Sequence, residues 1–163
     1  MSRQVTDLEA VLQQLIDEHR RLLAHVDAQQ AAMKAFDLKA MDAAMGQQEA
    51  SRLRIAGLEA KRRLLVQQLA RAVKVDGNVT ITKLAALYPA RGIPLSKLRD
   101  ELKTVIAQVA SRTNVVGKLA GAVLGHLNTV VRLLAGAVEK AGVYTKHGVP
   151  QVSSRIGVME AVG

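Results

Sequence analysis

Residues 95–137 read LSKLRDELKTVIAQVASRTNVVGKLAGAVLGHLNTVVRLLAGA, and their pattern decides the fold. Leu95, Leu98, Leu102, Val105, Val109, Arg112, Val116, Leu119, Val123, His126, Val130, Leu133 and Ala137 recur at alternating spacings of three and four. That alternation places them on one stripe of a helix, the seam along which helices pack. A second seam starts partway along. Ala120, Leu124, Leu127, Val131, Leu134 and Val138 keep the same alternation beside the first. The N-terminal half of this helix is polar off its single seam, at Lys97, Arg99, Asp100, Glu101 and Lys103, whereas the C-terminal half is apolar over a wide arc. One seam suffices for packing in a small bundle. The surplus calls for a further partner, which is the chain's own tail, a second copy or a different protein.

Working outward, the first segment carries its own seam through Val5, Leu8, Leu12, Leu15, His19, Leu22, Val26, Gln29, Met33 and Phe36. Thr6 followed by Glu9 has capping-box spacing and marks a start near that point. Asp17, Glu18, Arg20 and Arg21 fall off the seam, where solvated side chains belong. A second seam, Gln48, Ser51, Ile55, Leu58, Arg62, Leu65, Leu69 and Ala72, is out of phase with the first by one residue. A chain reversal with Asp37 as the new N-cap leaves such a slip. A stutter within one continuous helix over residues 5–74 leaves a similar mark. Asp76-Gly77-Asn78 reads as a turn, residues 80–88 hold a short helical turn closed by Pro89, and Pro94 suits the first turn of the next helix. The sequence therefore predicts an all-α chain, an antiparallel three-helix bundle or coiled coil with an irregular C-terminal tail. Its helices span about 5–35, 38–74 and 95–141, Gly142 is the last C-cap, residues 1–142 form the bundle and residues 143–163 a flexible tail.

Composition narrows the function. The chain has 163 residues, 49% of them apolar but only 2% aromatic, so its core is built from Leu, Val, Ala and Met, which favours helices. With no Cys there is no disulfide framework, no thiolate zinc site and no thiol nucleophile. The start MSRQVTDLEA lacks the apolar run of a secretory signal, which points to the cytoplasm. His19 and His126 lie on seams and are read as hydrogen-bonded seam residues, not as a metal pair, and Ser51 and Ser111 have no neighbouring base in sequence. No acid–base or metal constellation is visible, so an enzyme is disfavoured, and no cofactor, metal or small-molecule substrate is called for. Residues 115–138 are long and apolar enough to span a bilayer, but Lys118, His126, Asn128 and Arg132 interrupt them at high cost, which argues against stable membrane insertion.

The 23 Lys+Arg against 14 Asp+Glu give a net charge of +9, compatible with nucleic acid, an anionic membrane or an acidic protein. Phe36, Tyr88 and Tyr144 are too far apart in sequence for a base-stacking platform, which leaves only backbone contacts for nucleic acid. The densest basic run, Arg52, Arg54, Lys61, Arg62 and Arg63, spreads around the second helix as a solvated face does.

The heptad-rich helical pair, the Pro/Gly break, the long third helix and the ending NTVVRLLAGAVEKAGVYTKHG, with its Tyr144-to-Gly148 motif YTKHG, resemble the FlgN family of flagellar export chaperones. The resemblance implies a cytosolic protein that binds the C-terminal helices of hook-associated (hook–filament junction) proteins. It also implies delivery of them to the cytoplasmic domain of the flagellar type III export gate, with Tyr144 in the gate-docking role. Leu124, Leu127, Val131, Leu134 and Val138 are the expected client surface, matching the anchors of an amphipathic helix laid along it. Family chaperones are commonly acidic, and this chain departs from them in its charge. Two alternatives remain open at this level: a homodimer or larger structural coiled coil closed through the apolar arc, and a basic nucleic-acid-binding helical protein.

Overall fold

A computed structural model describes residues 2–75, 77 and 79–143. Four helices follow one another, α1 (Ser2–Lys34), α2 (Leu38–Ala72), α3 (Ile81–Leu87) and α4 (Pro89–Val143), with no strand among the described residues. The all-α class holds. The chain divides into two compact units, Met1–Leu119 and Ala120–Gly163.

The first unit is a bundle of α1, α2, α3 and the beginning of α4. Its core joins Val5, Leu8, Val11, Leu12, Leu15 and Ile16 of α1 to Leu65, Val66, Leu69 and Ala70 of α2, with Leu84 of α3 and Leu95, Leu102 and Val105 of α4. Each fully buried Leu or Val contributes roughly 1.5–3 kcal/mol. The slip between the first two seams is a chain reversal. Asp37 caps α2 by accepting the Ala40 backbone N–H at 2.9 Å. Phe36, expected to close the first seam, instead occupies the reversal at φ 54° and is exposed. The Asp37 N–H donates to the Ala32 carbonyl and the Phe36 N–H to Met33, so α1 ends in a Schellman motif with a bulky residue at its left-handed position. The end of α2 repeats the device with Lys74 at φ 53°.

Polar contacts fix the directions. Glu18 meets Ser51 and Arg54 while Gln29 meets Gln48, so residue numbers rise on α1 as they fall on α2, and the two run antiparallel. Along α1 and α4, Glu9 pairs with Arg91, Arg20 with Glu101 and Asp27 with Arg112. The sequence offset stays near constant across all three pairs, so α4 runs parallel to α1 in an up–down–up arrangement.

Two boundaries differ from expectation. α1 begins at Ser2, ahead of Thr6, which therefore lies within the helix. The last long helix begins at Pro89 and not at residue 95, with Pro94 inside it. Pro89 performs two jobs in succession. It cannot continue α3, whose cap is Tyr88, and its fixed φ opens α4 at the first helical position. α3 is capped by Thr80, whose hydroxyl accepts the Lys83 N–H at 3.2 Å. The expected turn keeps its Gly77 at φ 94°, while Asp76 and Asn78 lie outside the described residues.

Gly92 lets α4 approach α3, because a Cβ there would stand 2.6 Å from the Ala85 carbonyl oxygen. Gly92→Ala should therefore destabilise the chain by about 1–3 kcal/mol, as overpacking against backbone does. Lys74→Gly should stabilise it by up to about 1 kcal/mol by relieving the left-handed strain. Urea unfolding of both variants checks the opposite signs.

Candidate functional site

Residues 120–141 of α4 carry the arc the sequence singled out. Leu124 is 67% exposed, Leu127 50%, Val131 63%, Leu134 61% and Val138 61%. The seam beside them is open as well. His126, Val130, Leu133 and Ala137 are exposed, although the sequence pattern had them packed within the bundle. At about 100° per residue, the apolar side chains from Leu133 round to Leu124 cover roughly 180° of the helix. Asn128, Arg132, Glu139 and Lys118 occupy the other side by the same geometry. α4 continues to Val143, so Gly142 is a helical residue and not the cap. Tyr144 and the tail that follows lie outside the described residues.

α1 has 33 residues and α4 has 55. Of the seam residues of α4, Leu95, Leu102, Val105 and Val116 are buried, Leu98 and Val109 are half-buried and Arg112 is exposed, whereas those from His126 onward are all exposed. An 18-residue window within this helix has a mean hydropathy of 1.4, and none of it is buried. Gly117, Gly121 and Gly125 have nothing within 4 Å of where a Cβ would stand, so no close helix approach among the described residues requires them. They lower helix stability by about 1 kcal/mol each relative to Ala.

The titratable groups are structural. Glu18, expected in solvent, has a side chain only 5% exposed. It accepts hydrogen bonds from the Ser51 hydroxyl at 2.9 Å and from Arg54 Nε at 2.9 Å, and Arg21 lies 3.1 Å away. Burial pushes its pKa up, but the hydrogen bonds from Ser51 and Arg54 and the charges of Arg54 and Arg21 outweigh that and hold the carboxyl below its ordinary value. Ser51 thus has an acid beside it that the sequence did not reveal, since the two are 33 residues apart. A carboxylate held ionised is a weak base, and Ser51 is fully buried, so the pair offers no nucleophile to a substrate. His19 is buried with Nδ1 2.8 Å from the Leu15 carbonyl, to which it donates, and Gln48 bridges to Gln29 at 2.7 Å. Among the described residues, no group of three or more metal-type ligands comes together. Of the basic run, Arg54 is spent on Glu18 and Arg62 on Glu59 at 2.9 Å, whereas Lys61 and Arg63 face solvent.

The described residues thus form a helical bundle whose last helix exposes a half-cylinder of leucine and valine. The family model described as FlgN protein matches residues 1–151, and the chain belongs to that family. It is therefore a flagellar export chaperone in the general sense, from a family of soluble cytoplasmic chaperones and not of enzymes. No curated protein and no solved structure matches it significantly.

The lowered pKa of Glu18 carries a stability consequence of definite sign. Its contribution is fully present above the ordinary carboxylate range near about 4.3 and disappears as pH falls through that value toward the folded one. Melting temperature measured from neutral pH downward should fall in the wild type. Glu18→Gln should lower it at neutral pH, with the two curves converging in acid.

Proposed function

We propose that the chain captures the C-terminal helices of hook-associated proteins on Leu124, Leu127, Val131, Leu134 and Val138 and presents them to the cytoplasmic domain of the export gate. In this reading the residues after Val143, expected as a tail, carry Tyr144 to the gate. The single observation that supports it most is the exposed arc over residues 124–138 in a member of a chaperone family. Unassembled junction proteins expose helical segments made for coiled-coil assembly, and an apolar half-cylinder gives such a segment a temporary place to pack. The glycines suit the same task. A helix kept marginal by Gly117, Gly121 and Gly125 spends part of the binding free energy on ordering, which lowers net affinity and eases release.

Two tests follow. Leu127→Asp with Leu134→Asp should abolish co-purification with the terminal helix of a hook-associated protein and leave the melting of the bundle unchanged, since both residues are exposed. Unchanged capture by that variant contradicts the assigned surface. Gly121→Ala with Gly125→Ala should raise helicity by circular dichroism and tighten client binding, with dissociation slowed by up to about tenfold per 1.4 kcal/mol of ordering removed. Light scattering across concentrations distinguishes client capture from a coiled coil closed by a second copy, which would grow in mass without client.

A further inference from the structure

The positive charge of the chain finds no use in an apolar arc, and the bundle concentrates part of it at a separate place. Near the C-terminal end of α2 lies a groove of about 560 Å³ walled by Arg62, Arg63 and Arg71 and floored by Val66, Ala70 and Val79. The floor residues belong to the core cluster, so the groove has a fixed base. Arg62 is held by Glu59 through Nε at 3.0 Å and Nη2 at 2.9 Å. Arg63 and Arg71 have no acidic partner among the described residues, and both are exposed. The end of α2 adds about half a negative charge, and Asp76, which stands in sequence between the lining residues Val75 and Gly77, adds one more, against the two positive charges of Arg63 and Arg71.

We infer that this groove binds an acidic peptide segment of another protein, one that sets an apolar residue among its carboxylates. Charge complementarity supplies the argument. Guanidinium groups pair with carboxylates through directed, charge-assisted hydrogen bonds, and the valine floor takes the apolar side chain between them. A second copy of this chain does not supply the segment. Its acids are dispersed, and the adjacent pairs Asp17–Glu18 and Asp100–Glu101 are engaged already: Asp17 and Glu101 by Arg20, Glu18 by Arg54 and Asp100 by Arg99. Nucleic acid fits less well, because no aromatic ring among the described residues lines the groove for a base to stack on, and two guanidiniums without an acidic partner among those residues engage few phosphates. The inference stands apart from the client surface on α4 and does not rest on it.

Fluorescence anisotropy of the full chain with a short labelled peptide alternating glutamate and leucine tests it. Binding should saturate, weaken with salt and vanish for the peptide with glutamine in place of glutamate. Arg63→Glu with Arg71→Glu should weaken it at least about tenfold, and Arg63→Gln with Arg71→Gln should weaken it in the same direction. Lys39→Glu with Lys97→Glu, an equal change in net charge at exposed sites away from the groove, should change it less than about twofold. Equal losses in the two charge-reversed variants overturn the inference, because they reduce it to net charge. Binding of a single-stranded oligonucleotide that depends on Arg63 and Arg71, with none of the peptide, overturns it in favour of nucleic acid.

Discussion

The register between α1 and α4 governs the rest of the molecule. Three ion pairs, Glu9–Arg91, Arg20–Glu101 and Asp27–Arg112, keep the two helices in parallel at a nearly constant sequence offset. α1 ends at Lys34, whose counterpart at that offset lies just short of Ala120. Beyond that point, in the second unit, the apolar pattern of α4 continues and widens. The residues of that arc are exposed. Exposed ion pairs are individually weak. Their value lies in direction and alignment, while Leu95, Leu102 and Val105 supply the burial that holds the same interface.

The α1–α2 interface is organised differently along its length. Toward the open end of α1, the core is purely aliphatic. Toward the reversal the buried Leu22, Val26, Met33 and Ala44 are joined by polar residues, Glu18, Ser51 and Arg54 followed by Gln29 and Gln48. A leucine-only seam would pack nearly as well after a shift of a turn. A buried carboxylate that loses its Ser51 and Arg54 partners on such a shift opposes it strongly. The polar layer therefore specifies one alignment of the hairpin, and the hairpin in turn presents the face on which α4 is aligned.

Much of this was legible in the heptad pattern. The seams through Leu8, Leu12 and Leu15 and through Leu65 and Leu69 are buried as their spacing implies, and the one-residue slip did mark a reversal capped by Asp37. The turn at Gly77 and the short helix before Pro89 follow from residue type, whereas the Thr80 cap emerges only in the structure. What the sequence concealed depends on contacts between distant residues. Glu18 looks solvated on its own helix, and only the approach of α2 buries it. The pairing of Pro89 with two successive helices was hidden because a proline reads equally as a stop and as a start. The apolar arc was visible as a surplus of leucine and valine on one helix. That the neighbouring seam at Val130 and Leu133 would be open too was not visible, because periodicity records which face is apolar and says nothing of where the partner helix ends. The groove at Arg63 and Arg71 arises where α2 meets the following segment, and no single-helix pattern contains it.

Amide hydrogen exchange of the full chain, alone and with the terminal helical segment of a hook-associated protein, tests most directly whether an uncovered helix is the working part. The account predicts fast exchange over residues 120–141 in the free chain, marked slowing there on binding, and amides of α1 and α2 protected equally in both states. Protection of residues 120–141 in the free chain as strong as that of the bundle core, or slowing confined to α1 and α2 on binding, would contradict it.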